Sequence, residues 1–223
     1  MGARGNSGVI LSQIWRGLAQ GLAEKESFTG SDLAEALLQA STMAYKGLSN
    51  PVEGTILTVV REASAAAQAQ AASGNDDLIS VMEATVSAAN ESVANTPTLL
   101  PVLREAGVVD AGGLGLLVIF EGFLRYLRGE ADEFEIPAPV SAGQVGVSVP
   151  AAEQAYGYCT EFIIEGRDLN PNQIREQLEI IGQSVLVVED ENLVRDHVHT
   201  FDPGAALSYA TSLGTLRQVN VQN

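Results

Sequence analysis

Over the first 130 residues the apolar side chains return at intervals of three and four, the spacing of helices with one buried face. Ile10, Leu11, Ile14, Trp15, Leu18 and Leu22 share such a face and predict a first helix from about Ser7 to Ala23. Thr29, Gly30 and Ser31 break the pattern and can cap a second helix through Leu33, Leu37, Leu38, Ala44 and Tyr45, which Asn50-Pro51 ends. A third follows Gly54, from Ile56 to Ala72, and a fourth starts at Asn75-Asp76 with Leu78, Ile79, Met82, Val86 and Val93. Thr96-Pro97 is expected to open a short fifth helix around Leu99 to Glu105. The sixth, from Gly113 to about Leu127, is apolar nearly all round and is expected to be the most buried of the set.

From 130 to 156 the helical period disappears and a Pro-Ala-Pro centre marks a semi-extended linker. After it the period falls to two. Tyr158 to Glu165, Ser184 to Val188, Leu193 to His199 and Leu216 to Val221 read as strands, with helices after Asn170-Pro171 and Asp202-Pro203-Gly204. The order βαββαβ is that of a split, ferredoxin-like two-layer α/β sandwich. The expected organisation is therefore multidomain, α then α+β: helical residues 1–129, a linker at 130–156 and an α/β domain at 157–223.

The 223 residues carry 12 Lys+Arg against 28 Asp+Glu, a formal charge of −16. Such a chain repels a phosphate backbone and an anionic bilayer surface, so neither nucleic acid nor a charged membrane is an expected partner. No run approaches the ~18 apolar residues of a membrane-spanning helix, and one Cys makes no internal disulfide; a cytoplasmic protein is expected. Residues 1–130 hold 8 basic and 14 acidic side chains, the remainder 4 and 14. With so few cations, an anionic ligand would have to be held by backbone N–H groups and metal.

Three Gly-rich helix starts could supply those N–H groups. Gly2 to Ile10 (GARGNSGVI) offers three glycines beside Asn6 and Ser7, ahead of a helix whose positive end points the same way. Pro51 to Thr58 and Val109 to Gly115 are further turns feeding helix N-termini, the latter with Asp110 as a possible cap or phosphate-site partner. Each alone also reads as a tight turn with an ordinary cap. None is a Walker A loop.

These segments, MGARGNSGVILSQIWRGL, PVEGTILTV and VVDAGGLGLLVIFEGF, resemble the DhaL-type nucleotide-binding domain of dihydroxyacetone kinases. More closely they resemble the variant in the catalytic subunit of bacterial fatty-acid kinases, the DegV-associated family, and Tyr156 to Phe162 with His197 to Thr200 resemble that subunit's middle domain. The resemblance implies a helical barrel holding ATP at one end. Gly5, Asn6, Ser7 and Gly8 would cradle phosphates, and Thr55 and Ile56 would border the base. Asp110, Ala111, Gly112 and Gly113 would stand where related kinases carry Asp-Pro-Gly-Ala. It also implies an upstream Asp-rich segment whose carboxylates hold Mg²⁺, and a further C-terminal domain. This sequence departs from the pattern at both ends, so it is expected to be the middle of a longer protein and inactive alone. The implied activity is transfer of the ATP γ-phosphoryl group to a fatty acid carried by a DegV-like binding protein; a homodimer is expected. The rival expectation is a non-catalytic module that binds nucleotide or lipid and dimerises.

The only Cys and both His fall in the last domain. His197 and His199, two apart on a strand, share a face, as do Cys159 and Glu161 on theirs. A thiolate with two imidazoles is a zinc-type donor set, which Glu161 or a water could complete; a buried structural Cys beside a polar strand edge is the alternative. The resemblance implies that Cys159, His197 and His199 serve activity. A zinc hydrolase built on them lacks an evident general base. One tension attends the metal. If the first and third strands run parallel, as the ferredoxin-like plan is taken to require, Cys159 and His197 stand at opposite ends; a shared ion needs antiparallel pairing or another strand order.

Overall fold

A computed structural model of the chain describes residues 5–46, 48, 50–74, 76–130, 157–190 and 192–222. Gly2 to Arg4 of the first Gly-rich stretch, Tyr156 and all of the expected linker after Glu130 lie outside the described residues. The chain divides into two compact units, one helical and one built on a sheet. Among the described residues no helix is long and apolar enough to cross a membrane.

The helical unit holds α1 (Gly5–Gly21), α2 (Gly30–Lys46), α3 (Ile56–Ala72), α4 (Leu78–Leu99), α5 (Pro101–Ala106) and α6 (Ala111–Leu127). Side chains at helical spacing, among them Ile14, Leu37, Leu57, Met82, Leu116 and Phe120, form its buried core. Short residues let α1 and α2 approach closely: a Cβ on Gly17 would lie 2.4 Å from the Ala40 Cα. The helix starts are capped from the sequence itself. The Thr29 N–H donates to Asp32 and the Asp32 N–H to Thr29 Oγ1, a reciprocal capping pair at α2. Asp77 accepts from the Ser80 N–H at α4.

Two expectations fail here. Thr96-Pro97 does not open α5, because α4 runs on through Pro97 to Leu99 and α5 begins at Pro101. A proline in a helix orphans the carbonyl four residues back. That carbonyl is Val93's, and the Thr96 hydroxyl donates to it at 2.7 Å. Nor is α6 the most buried helix. It packs one face, Gly113, Leu116, Leu117, Phe120 and Leu124, against α3 and α4 and leaves Val118 53% and Tyr126 73% exposed. Apolar composition all round does not supply partners all round, and α3, packed against both α4 and α6, buries more of its length.

The second unit reads β1 (Tyr158–Glu165), α7 (Pro171–Ile181), β2 (Gln183–Asp190), β3 (Leu193–Thr200), α8 (Pro203–Leu213) and β4 (Thr215–Gln222). Its sheet has the order β2-β3-β1-β4, and every neighbouring pair is antiparallel. The expected parallel pairing of the first and third strands is therefore wrong. A helical crossover leaves β1 and β2 parallel, the tight β2–β3 turn reverses the chain, and β3, slotted between them, opposes both. Alternation then sorts the side chains. Phe162 and Ile164, Val185 and Val187, and Val194 and Val198 meet Ile174 and Leu178 of α7 and Ala206 and Ala210 of α8 in one core.

Asp196 shares that core face. It is fully buried, both carboxylate oxygens lack a hydrogen-bond partner, and burial holds its pKa well above the usual carboxylate range. The raised folded value means that the native state binds a proton which the unfolded chain releases near pH ~3.9. Asp196 thus lowers stability progressively as pH rises above that point. Urea unfolding from pH 5 to pH 8 should show wild-type stability falling more steeply than that of Asp196→Asn; parallel profiles would contradict this account.

Candidate functional site

The β1–β3 ladder sets Cys159 opposite His199 and Glu161 opposite His197, four side chains on the sheet face away from α7 and α8. The antiparallel register removes the tension that a parallel pairing would impose. Ligand atoms of Cys159, His197 and His199 all lie within 4.8 Å of one another, so this cluster could hold a metal ion. Cys159 Sγ is 3.8 Å from His197 Nδ1, and Glu161 Oε1 is 3.2 Å from the same nitrogen. The two imidazole rings are 5.0 Å apart, centre to centre.

Burial tunes Cys159 and His197 toward their neutral forms. It pushes the Cys159 thiol up, with the Glu161 charge adding to the shift. It pulls the His197 imidazole down, against the hydrogen bond to Glu161. His197 is 2% exposed, and its Nε2 is buried with no hydrogen-bond partner. A thiol and two imidazoles whose ligand atoms lie this close are a donor set that a zinc-type ion suits, and such an ion would favour the thiolate.

The expected nucleotide residues sit at helix starts. Gly5, Asn6, Ser7 and Gly8 form the first turn of α1, where Asn6 Oδ1 is shielded from solvent and has no partner. Thr55 is the N-cap of α3, with Ile56 next, and Asp110 caps α6 through the Gly113 N–H. The starts of α3 and α6 meet: a Cβ on Gly112 would stand 3.4 Å from the Ile56 Cβ, and one on Gly113 only 2.7 Å from Val59 Cγ2. The missing Cβ atoms at Gly112 and Gly113 thus let the two helix starts pack closely, with the Gly113 N–H taken by Asp110.

One network escapes sequence reasoning. Glu53, just before α3, accepts from Thr58 Oγ1 at 2.6 Å and Arg61 at 2.6 Å, and Tyr45 Oη lies 3.2 Å from the same carboxylate. Burial alone would raise the Glu53 pKa, but the hydrogen bonds from Thr58 and Arg61 outweigh it and the net shift is downward. Burial pushes the Tyr45 phenol up to about 12. Thr58 Oγ1 also receives the Gly54 N–H at 2.8 Å, which ties down the turn at φ +84° ahead of Thr55. Arg61 is thus engaged in ion pairs with Glu53 and Glu62. A Glu five residues before a Thr and eight before an Arg was the available signal, but Tyr45 comes from another helix.

Comparison with known proteins fits this arrangement. Residues 1–125 match the DAK2 domain, and residues 155–223 match the FakA-like middle domain of fatty acid kinases. An uncharacterized protein of Staphylococcus aureus (strain USA300) is 41% identical over 235 residues, covering 100% of this chain and 42% of that protein. An uncharacterized protein of Staphylococcus saprophyticus is 40% identical over 233 residues, with the same coverage. The chain spans about two-fifths of the length of these curated relatives. With both of its units matched in order, the chain belongs to the DAK2-domain family and carries a FakA-like middle domain.

Proposed function

We propose that the protein to which this chain belongs is an ATP-dependent phosphotransferase that makes an acyl phosphate. A carboxylate oxygen of a fatty acid, presented by a separate DegV-like binding protein, would attack the γ-phosphorus of ATP and displace ADP. The observation that carries the reading is a DAK2 domain followed by a fatty-acid-kinase middle domain in which Cys159, His197 and His199 converge. The backbone N–H groups at the starts of α1, α3 and α6 are the phosphate-binding devices, suited to a chain of net charge −16. Magnesium supplies charge neutralisation on the phosphates. Asp32, Asp77 and Asp110 cap their own helices, and the magnesium ligands are assigned to the Asp-rich segment that the family resemblance implies. The 223-residue chain alone should show no ATP turnover above a Mg²⁺-free control, even with a fatty acid and its binding protein present. Turnover by this chain would refute the assignment of the missing ligands.

The α/β unit would hold a zinc ion on Cys159, His197 and His199. Protein purified without chelator should carry close to one equivalent of zinc, and Cys159→Ala should lose it together with thermal stability. Zinc near zero with unchanged stability in the variant would exclude the site.

A second reading, a non-catalytic lipid-binding and dimerising module, is favoured by one feature of the helical unit. A cavity of about 260 Å³ is lined by apolar side chains including Trp15, Leu18, Leu33, Met82 and Phe123, with the Tyr126 ring beside them. Long-chain fatty acid retained by this chain and lost in Met82→Trp would support it; equal retention by both would count against it.

A further inference from the structure

The entries to α3 and α6 meet a single buried residue of α4. Thr96 is fully buried, and its hydroxyl both donates and accepts. It donates to the Val93 carbonyl, the group that Pro97 orphans, at 2.7 Å, and accepts from the Asp110 N–H at 3.0 Å. The Thr96 carbonyl accepts from the Leu100 N–H where α4 ends, and it stands so close to the turn before α3 that a Cβ on Gly54 would lie 3.0 Å from it. One residue thus touches the turn that opens α3 and the residue that caps α6, the two helices whose starts then pack through Gly112 and Gly113.

These contacts select which groups α6 can offer to an anion. The first four N–H groups of a helix have no partner within it, here those of Asp110, Ala111, Gly112 and Gly113. Thr96 takes the first, and the Asp110 carboxylate takes the last at 2.6 Å. Ala111 and Gly112 are left to offer theirs, in a direction set by Asp110, which is itself held by Thr96.

We propose that Thr96 is a positioning residue for the nucleotide: by holding the Asp110 N–H while backing the Gly54 turn, it sets the starts of α3 and α6 at the spacing that the phosphates of ATP require. The inference rests on the phosphotransferase reading above and deepens it by naming what holds the geometry of that site. Thr96, being fully buried, acts through Asp110 and Gly54.

The protein to which this chain belongs would be assayed for ATP turnover, with fatty acid and its binding protein present, as wild type, Thr96→Val, Thr96→Ser and Thr96→Val/Pro97→Ala. Folding would be followed by circular dichroism and thermal unfolding. Valine keeps the shape of threonine but leaves the Val93 carbonyl and the Asp110 N–H without their partner. In the double variant residue 97 regains an N–H for the Val93 carbonyl, so stability returns in part while the Asp110 N–H stays unmet. The expected result is a KM for ATP raised about tenfold in both valine variants with kcat near that of wild type, and a KM near wild type in Thr96→Ser. Val81→Ala, a truncation in the buried face at the other end of α4, should lose stability and keep its KM. An unchanged KM in Thr96→Val, a KM that recovers with stability in the double variant, or an equal rise in Val81→Ala would make Thr96 merely structural and overturn the inference. Wild type that turns over no ATP would overturn the phosphotransferase reading itself, and this inference with it. If Thr96→Val does not fold, the double variant decides.

Discussion

Antiparallel pairing of β1 with β3 puts Cys159 across from His199 and Glu161 across from His197, and every chemical feature of the α/β unit depends on that register. A slip of one residue would turn one strand's set to the opposite face and disperse the cluster. What prevents the slip lies on the other side of the sheet. Phe162 and Ile164 of β1 and Val194 and Val198 of β3 are buried against α7 and α8, so a shifted register would move apolar side chains out of the core. Burying a side chain of that size contributes about 1.5–3 kcal/mol, and several such side chains together outweigh any one polar contact across the strands. The core thus specifies the site, although no core residue belongs to it.

The helical unit works under a different constraint, that of close approach at helix ends. Gly113 has no room for a Cβ beside Val59, and the turn at Gly54 is fixed through Thr58 and Glu53. The same features that let α3 and α6 start side by side leave their first-turn N–H groups near each other, the arrangement that an anionic ligand needs from a chain poor in cations. Packing and anion recognition place the same demand on these glycines, so their presence alone does not separate the two.

The periods of 3.6 and 2 made nearly every element legible, because each element's apolar face is local information. What escaped depended on partners. Pro97 marks a helix boundary by every local rule, and only the Thr96 hydroxyl over the Val93 carbonyl shows why α4 continues. The apolar sequence of α6 says nothing about how many neighbours it has. The direction of β3 relative to β1 required following the crossover and then the hairpin, and an assumed parallel pairing obscured a site whose residues were otherwise in view. The spacing of Glu53 to Thr58 and Arg61 is local, but the Tyr45 arm of its network comes from α2 and leaves no local signal. Asp196 lay hidden in plain alternation, one position from His197 and on the opposite face.

The adjacency of Asp196 and His197 bears on how the unit stays folded. A domain of about 60 residues buries only about 60% of its unfolded surface and has little stability to spare. This one carries an unpartnered carboxyl on one face of β3 and, on the other, a buried Glu161–His197 pair with an orphaned ring nitrogen. A buried carboxylate is costly to desolvate, and a buried polar atom without a partner costs about 1–3 kcal/mol. An ion bound to the cluster would offset those costs, because binding free energy at a site absent from the unfolded chain is folding free energy. Occupancy and stability of the α/β unit are then a single equilibrium. The donor set lies across two neighbouring strands, so the bound ion would clamp the very register that assembles it.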